Sequence, residues 1–221
     1  MALDRLLPQS CVLCGAPAGG EPVCEDCMSE LPREAVPACE VCALPLSTPG
    51  VCGRCLKAPP AYDATYAAFA YAFPADRLVQ ALKYRQCLSL AGYFSGLLLE
   101  TGRRPEAECV IPVPMHGSGL RKRGFNQAVE IARPLAHAWG LPLWVDVAKR
   151  VRAGPKQADL KGSARHRNVR NAFEAGAEFE GRSVVVVDDV MTTGATLQSF
   201  ARELKRAGAV RVENVVVART L

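Results

Sequence analysis

Apolar positions along this chain change their period several times, and each change marks a candidate element. TYAAFAY (65–71) is a short run of small and aromatic apolar residues, as in a strand. ADRLVQALKYR (75–85) and LSLAGYFSGLLLE (88–100) repeat their apolar positions every three or four residues, as helices do. ECVIPVP (108–114) reads as a short strand closed by prolines, FNQAVEIARPLAHAWG (125–140) as a helix with Pro134 as an irregularity, and LPLWVDVA (141–148) as a further strand. RSVVVVDD, GATLQSFARELKRAG and AVRVENVVVAR then predict strand, helix, strand. This alternation predicts an α/β fold whose parallel sheet is covered on both faces.

The unbroken run Val184–Val187 is what a central parallel strand needs, because both of its faces are buried. Asp188 and Asp189 are then expected at its carboxyl end, where open α/β sheets bind ligands. Met191–Gly194 predicts a tight turn that brings its amides, with the hydroxyls of Thr192, Thr193 and Thr196, to the start of the next helix. Such a turn cradles phosphate. Two carboxylates beside an anion site suit either vicinal sugar hydroxyls or a divalent cation that balances the phosphate charge. An acidic cap followed by an ordinary turn is the plainer account, and a P-loop is disfavoured because no GK[ST] follows.

Before residue 59 the periodicity vanishes and cysteine takes over. Of ten cysteines, eight form four CxxC pairs, Cys11/Cys14, Cys24/Cys27, Cys39/Cys42 and Cys52/Cys55, and the first two pairs recur as the last two at an offset of 28 residues. This is zinc spacing in a duplicated unit. Each copy is most simply a complete tetra-cysteine ribbon, with interleaved ligation as the alternative. Four thiolates leave no open position for water or substrate, so both Zn²⁺ ions are expected to be structural. A segment with many prolines and few large apolar side chains buries little surface, and a structural zinc supplies roughly 10 kcal/mol or more of folding free energy. The two prolines of LKAPPAYDA (56–64) place the boundary between a double zinc ribbon over 1–58 and a larger domain over 59–221. Cys87 and Cys109 stand outside the pattern and read as buried small hydrophobes.

The 221 residues are 49% hydrophobic and 22% charged, and no apolar run approaches the roughly 20 residues of a membrane span. A cytoplasmic address without membrane insertion is expected. Charge is unevenly shared, since residues 1–58 carry 4 basic and 7 acidic side chains, which leaves the remainder at +8 within a total of +5. Lys149, Arg150, Arg152, Lys156, Lys161, Arg165, Arg167 and Arg170 stand against one acid, Asp159, and Arg121, Lys122 and Arg123 form a second cluster. Such clusters suit phosphate-rich ligands, although solvated surface charge has the same composition. Gly154-Pro155 and Gly162-Ser163 predict a mobile flap, and a nucleic-acid track fits the first segment equally. Few aromatics accompany these charges, so a nucleic-acid track there is expected to bind weakly and with sequence tolerance, with little base stacking.

VVVVDDVMTTGAT resembles the phosphoribosyl pyrophosphate (PRPP) signature of the type I phosphoribosyltransferases. With ALKY (81–84), IPVPMHGSGLRKRGFNQA (111–128), Gln157, RHRNVRNAF (165–173) and the paired CxxC knuckles, nearly the whole chain resembles the ComF family. Its members join an N-terminal zinc finger to a phosphoribosyltransferase-like domain. The resemblance implies a type I phosphoribosyltransferase-like parallel sheet behind a small tandem zinc ribbon. It implies that Asp188 and Asp189 hold the ribose hydroxyls of PRPP, or of a related phosphorylated sugar, directly or through Mg²⁺. By the same resemblance Met191, Thr192, Thr193, Gly194, Ala195 and Thr196 bind the 5′-phosphate, and Val113–Gly117, including Pro114, holds pyrophosphate with Arg121, Lys122 and Arg123 behind it. The implied role is in natural competence, with single-stranded DNA and other DNA-processing proteins as partners. Active phosphoribosyl transfer is the alternative, and no residue identifies an acceptor. Gly119 and Gly154 stand where many relatives carry a basic residue and a threonine, which weakens the case for ligand contacts in those loops.

Overall fold

The computed structural model describes residues 10–33, 37–152 and 172–221. Two short helices, α1 (Glu25–Ser29) and α2 (Gly53–Lys57), belong to the cysteine-rich segment. Beyond them run β1 (Ala64–Ala70), α3 (Ala75–Arg85), α4 (Ser89–Glu100), β2 (Cys109–Pro112), α5 (Gly117–Arg123) and α6 (Gln127–Trp139). The chain continues with β3 (Ala148–Arg150), β4 (Phe173–Ala175), β5 (Ser183–Met191), α7 (Ala195–Arg206) and β6 (Arg211–Arg219).

Four strands make one parallel sheet in the order β1-β6-β5-β2, while β3 and β4 pair antiparallel as a separate ribbon. The valine-rich β5 is central, and Val184–Val187 are all at most 1% exposed. Because strand side chains alternate, Val185 and Val187 face one core with Leu78, Phe94, Ile131 and Leu135, and Val184 and Val186 face another with Phe173, Phe200 and Leu204. Burying each valine contributes about 1.5–3 kcal/mol at most, so polar side chains belong only at the ends of such a strand.

The cysteine-rich segment is divided between these cores. Cys11, Ala18, Val23 and Leu31 join the cluster of α3, α4 and α6, whereas Cys39, Cys42, Ala43 and Cys55 join that of α7. The backbone ties the second copy to β1 through Thr65 N–H, which donates to the Glu40 carbonyl at 3.1 Å.

Several expectations need correction. LPLWVDVA is not a strand over its length; Leu143 alone bridges Val110, and only Ala148 enters β3. Pro142 has no N–H to extend a ladder, and the segment leaves the sheet edge after that bridge. Asp188 and Asp189 lie within β5, which extends through Met191 against Arg219. The helix α5 was not legible in GSGLRKR, whose glycines argue against helix; His116 accepts from the Ser118 amide at its start, and Gly124 closes it at φ +84°. Cys109 is buried as expected, with burial pushing its thiol up to about 11, but Cys87 is half-buried with its Sγ 3.5 Å from the Ser89 hydroxyl. Among the described residues no helix is long and apolar enough to cross a membrane.

Candidate functional site

The eight paired cysteines close into two sets, Cys11, Cys14, Cys24 and Cys27, and Cys39, Cys42, Cys52 and Cys55, with the sulfurs of each set within 4.8 Å of one another. The grouping is sequential, one set per copy, as two separate four-cysteine zinc sites need. At the usual Zn–S distance a tetrahedron has S···S edges of about 3.8 Å. Cys14 and Cys24, and likewise Cys42 and Cys52, stand 3.7 Å apart. The duplication persists in the backbone: Gly15 N–H donates to the Cys11 carbonyl, Ala43 N–H to that of Cys39, and both residues have positive φ. In the second knuckle the Cys52 amide also points at the Cys39 sulfur at 3.3 Å, a contact that orients a thiolate ligand.

At the carboxyl end of the sheet the two carboxylates occupy different environments. Asp189 is 4% exposed and its Oδ1 meets Lys83 Nζ at 2.8 Å, while its buried Oδ2 has no hydrogen-bond partner among the described residues. Asp188 is half-buried, accepts from the Asp189 amide at 2.9 Å, and has its carboxyl pushed up to about 7 by burial and then by the Asp189 charge. Lys83 and Arg150 act on it in the opposite sense.

Behind them Met191 is buried, Thr192 and Thr193 are exposed, and Gly194 turns the chain into α7 at φ +78°. Glycine is favoured at 194 because this φ lies in the left-handed region, and an added Cβ would crowd Met191 Cε at 2.7 Å and the Tyr62 hydroxyl at 3.1 Å. Ala195 N–H donates to Thr193 Oγ1 at 3.3 Å, and Thr196 is half-buried in the first turn. On the neighbouring edge Val113 N–H donates to the Val187 carbonyl, which holds the start of the Val113–Gly117 loop against β5, with Pro114 half-buried within it. Asn126 caps α6 and donates to the Val113 carbonyl at 3.0 Å. Arg121 is exposed on α5, and Arg123 donates to Gln127 Oε1 at 2.6 Å while lying over the Tyr84 ring at 5.5 Å. The carboxylates, the Thr-Gly turn and the Val113–Gly117 loop thus share one end of the sheet. Lys156, Gln157, Lys161, Arg165, Arg167 and Arg170, with the glycines Gly154 and Gly162, lie outside the described residues.

Three residues here escaped the reading by motif. Lys83 had appeared only within ALKY, and its partner became known from the fold. Arg219, 2% exposed at the end of an apolar strand, donates to the carbonyls of Cys42 at 2.9 Å and Met191 at 3.0 Å and also reaches that of Thr192. It ties the second zinc knuckle to the Thr-Gly turn. Tyr62 offered no sequence signal at all.

This geometry defines a parallel-sheet domain of the phosphoribosyltransferase type fronted by two zinc ribbons. Residues 2–56 match the double zinc ribbon domain, and residues 119–220 match the phosphoribosyl transferase domain. The chain is 34% identical to the DNA utilization protein YhgH of Salmonella typhi over 97% of its own length and 99% of that protein, and 29% identical to competence protein F of Haemophilus influenzae over 89% and 90%. A glutamine PRPP amidotransferase from B. subtilis superposes on 57% of this chain and 26% of its own, with 25% identity and a TM-score of 0.40. The chain belongs to the ComF family of competence and DNA utilization proteins.

Proposed function

We propose that this protein binds PRPP, or a closely related phosphorylated sugar, with Mg²⁺ at the carboxyl end of β5, and that it acts on single-stranded DNA during DNA uptake and use. The observation that carries the ligand reading is the buried Oδ2 of Asp189, without a hydrogen-bond partner among the described residues, beside Asp188 and the Thr-Gly turn. A buried carboxylate oxygen without a donor fits a ligand hydroxyl or a hard cation. Asp188 and Asp189 would hold Mg²⁺ or the ribose hydroxyls. The amides of Met191–Thr196 and the threonine hydroxyls would take the 5′-phosphate, and Val113–Gly117 with Arg121 and Arg123 would face pyrophosphate. The metal would supply neutralisation of pyrophosphate charge. The DNA reading draws on the names of the relatives and on the basic clusters.

Calorimetry with PRPP, with and without Mg²⁺, tests the ligand reading. Wild type is expected to bind only with Mg²⁺, and Asp189→Asn to bind about tenfold to a hundredfold more weakly, the value of a hydrogen bond to a charged group. No binding by wild type at millimolar PRPP ends this reading. Transfer of the phosphoribosyl group to an acceptor is the second reading, favoured by the match of residues 119–220 to the phosphoribosyl transferase domain. Pyrophosphate release across candidate acceptors separates turnover from binding alone.

A further inference from the structure

Among the described residues the exposed large aromatics are Phe73, 74% exposed, and Tyr84, 69% exposed. They are not scattered. Both line one groove of about 380 Å³ between α3 and the first zinc knuckle, with Arg77 and Arg85 on the helix side and Val12 and Leu13 on the knuckle side. Arg77 and Tyr84 lie two turns apart on one face of α3 and Phe73 just precedes the helix, and among the described residues no carboxylate lines the groove. Arg123 reaches over from α5 to stack on Tyr84, while the adjacent Lys83 turns inward to Asp189.

Exposed rings cost hydration free energy unless something covers them, and rings flanked by arginine suit a ligand that is both flat and polyanionic. We infer that this groove is a stacking platform for single-stranded DNA, in which Phe73 and Tyr84 take bases while Arg77 and Arg85 track the phosphates. The strand then runs between the first zinc knuckle and α3. The inference rests on the DNA reading proposed above and alters one part of it: base stacking contributes alongside phosphate contacts.

Fluorescence anisotropy at low salt tests it, with a labelled oligothymidine and an abasic oligonucleotide of equal length and charge. Phe73→Leu and Tyr84→Leu keep apolar bulk but remove the ring, and each is expected to weaken oligothymidine binding about tenfold. Neither is expected to alter binding of the abasic strand. Tyr84→Phe keeps the ring and is expected to bind like wild type, which separates stacking from a folding defect. If wild type binds oligothymidine and both leucine variants match it, the platform is overturned while the DNA reading stands. If wild type binds neither oligonucleotide, the DNA reading falls and the platform with it. If a polyglutamate peptide binds wild type and loses affinity in the leucine variants while oligothymidine does not, the groove receives a protein segment instead.

Discussion

Lys83 and Asp189 form a 2.8 Å ion pair in which the side chains are only 18% and 6% exposed, so each neutralises a charge that water cannot reach well. Removing one partner leaves the other uncompensated, which costs more than the pair contributes. Lys83→Met is therefore expected to lower unfolding free energy by about 3 kcal/mol in urea titrations, and Asp189→Asn in the same chain to recover most of it. Asp188 makes a different case. Its carboxyl is raised to about 7 by burial and then by Asp189, so the folded protein holds a proton there that the unfolded chain releases near pH 4. Stability thus falls as pH rises between those values, whereas a cation or a ligand hydroxyl needs the charged form. PRPP affinity measured with Mg²⁺ is expected to rise from pH 6 to 8 and to level off above it; a flat profile would remove Asp188 from the site.

At the scale of the element, the junction between β5 and α7 depends on one glycine that allows the turn. Gly194 at φ +78° faces Met191 Cε and the Tyr62 hydroxyl, and Arg219 holds the carbonyls of Met191 and Thr192 from behind. Gly194→Ala adds left-handed strain of roughly 1–2 kcal/mol and must displace Met191. The expected outcome is a modest fall in thermal midpoint with a larger loss of phosphate-ligand affinity, read by calorimetry with PRPP. Equal losses in both would mark a structural role alone.

For the whole molecule, the two zinc ribbons pack into opposite cores of the sheet, one with α3, α4 and α6 and the other with α7. Metal should therefore support the sheet as well as the ribbons. Metal analysis of gently purified protein is expected to give two zinc ions per chain, from two sets of four thiolates. Calorimetric unfolding is expected to show one cooperative transition that shifts down when zinc is stripped by a chelator. A sheet transition that stays in place after chelation would show that the ribbons fold apart from it.

Patterns short enough to be written in consecutive residues were readable without the fold. The α3 pattern over 75–85 matched its helix, because propensity and apolar spacing agree there. The 28-residue repeat identified both zinc sets, since ligand spacing within a knuckle is a local constraint. The run Val184–Val187 marked the central strand, with the two carboxylates and the Thr-Gly turn following it at one end of the sheet. Tertiary structure alone decided what meets across sequence distance: Lys83 with Asp189, Arg219 with Cys42 and Met191, and Tyr62 beside Gly194. It also decided that Leu143 leaves the sheet after one bridge and that Phe73 and Tyr84 share one exposed groove with Arg77 and Arg85. The physical reason is that hydrophobic periodicity records which face of an element is buried, whereas charge pairing and groove shape depend on which elements the chain has brought together.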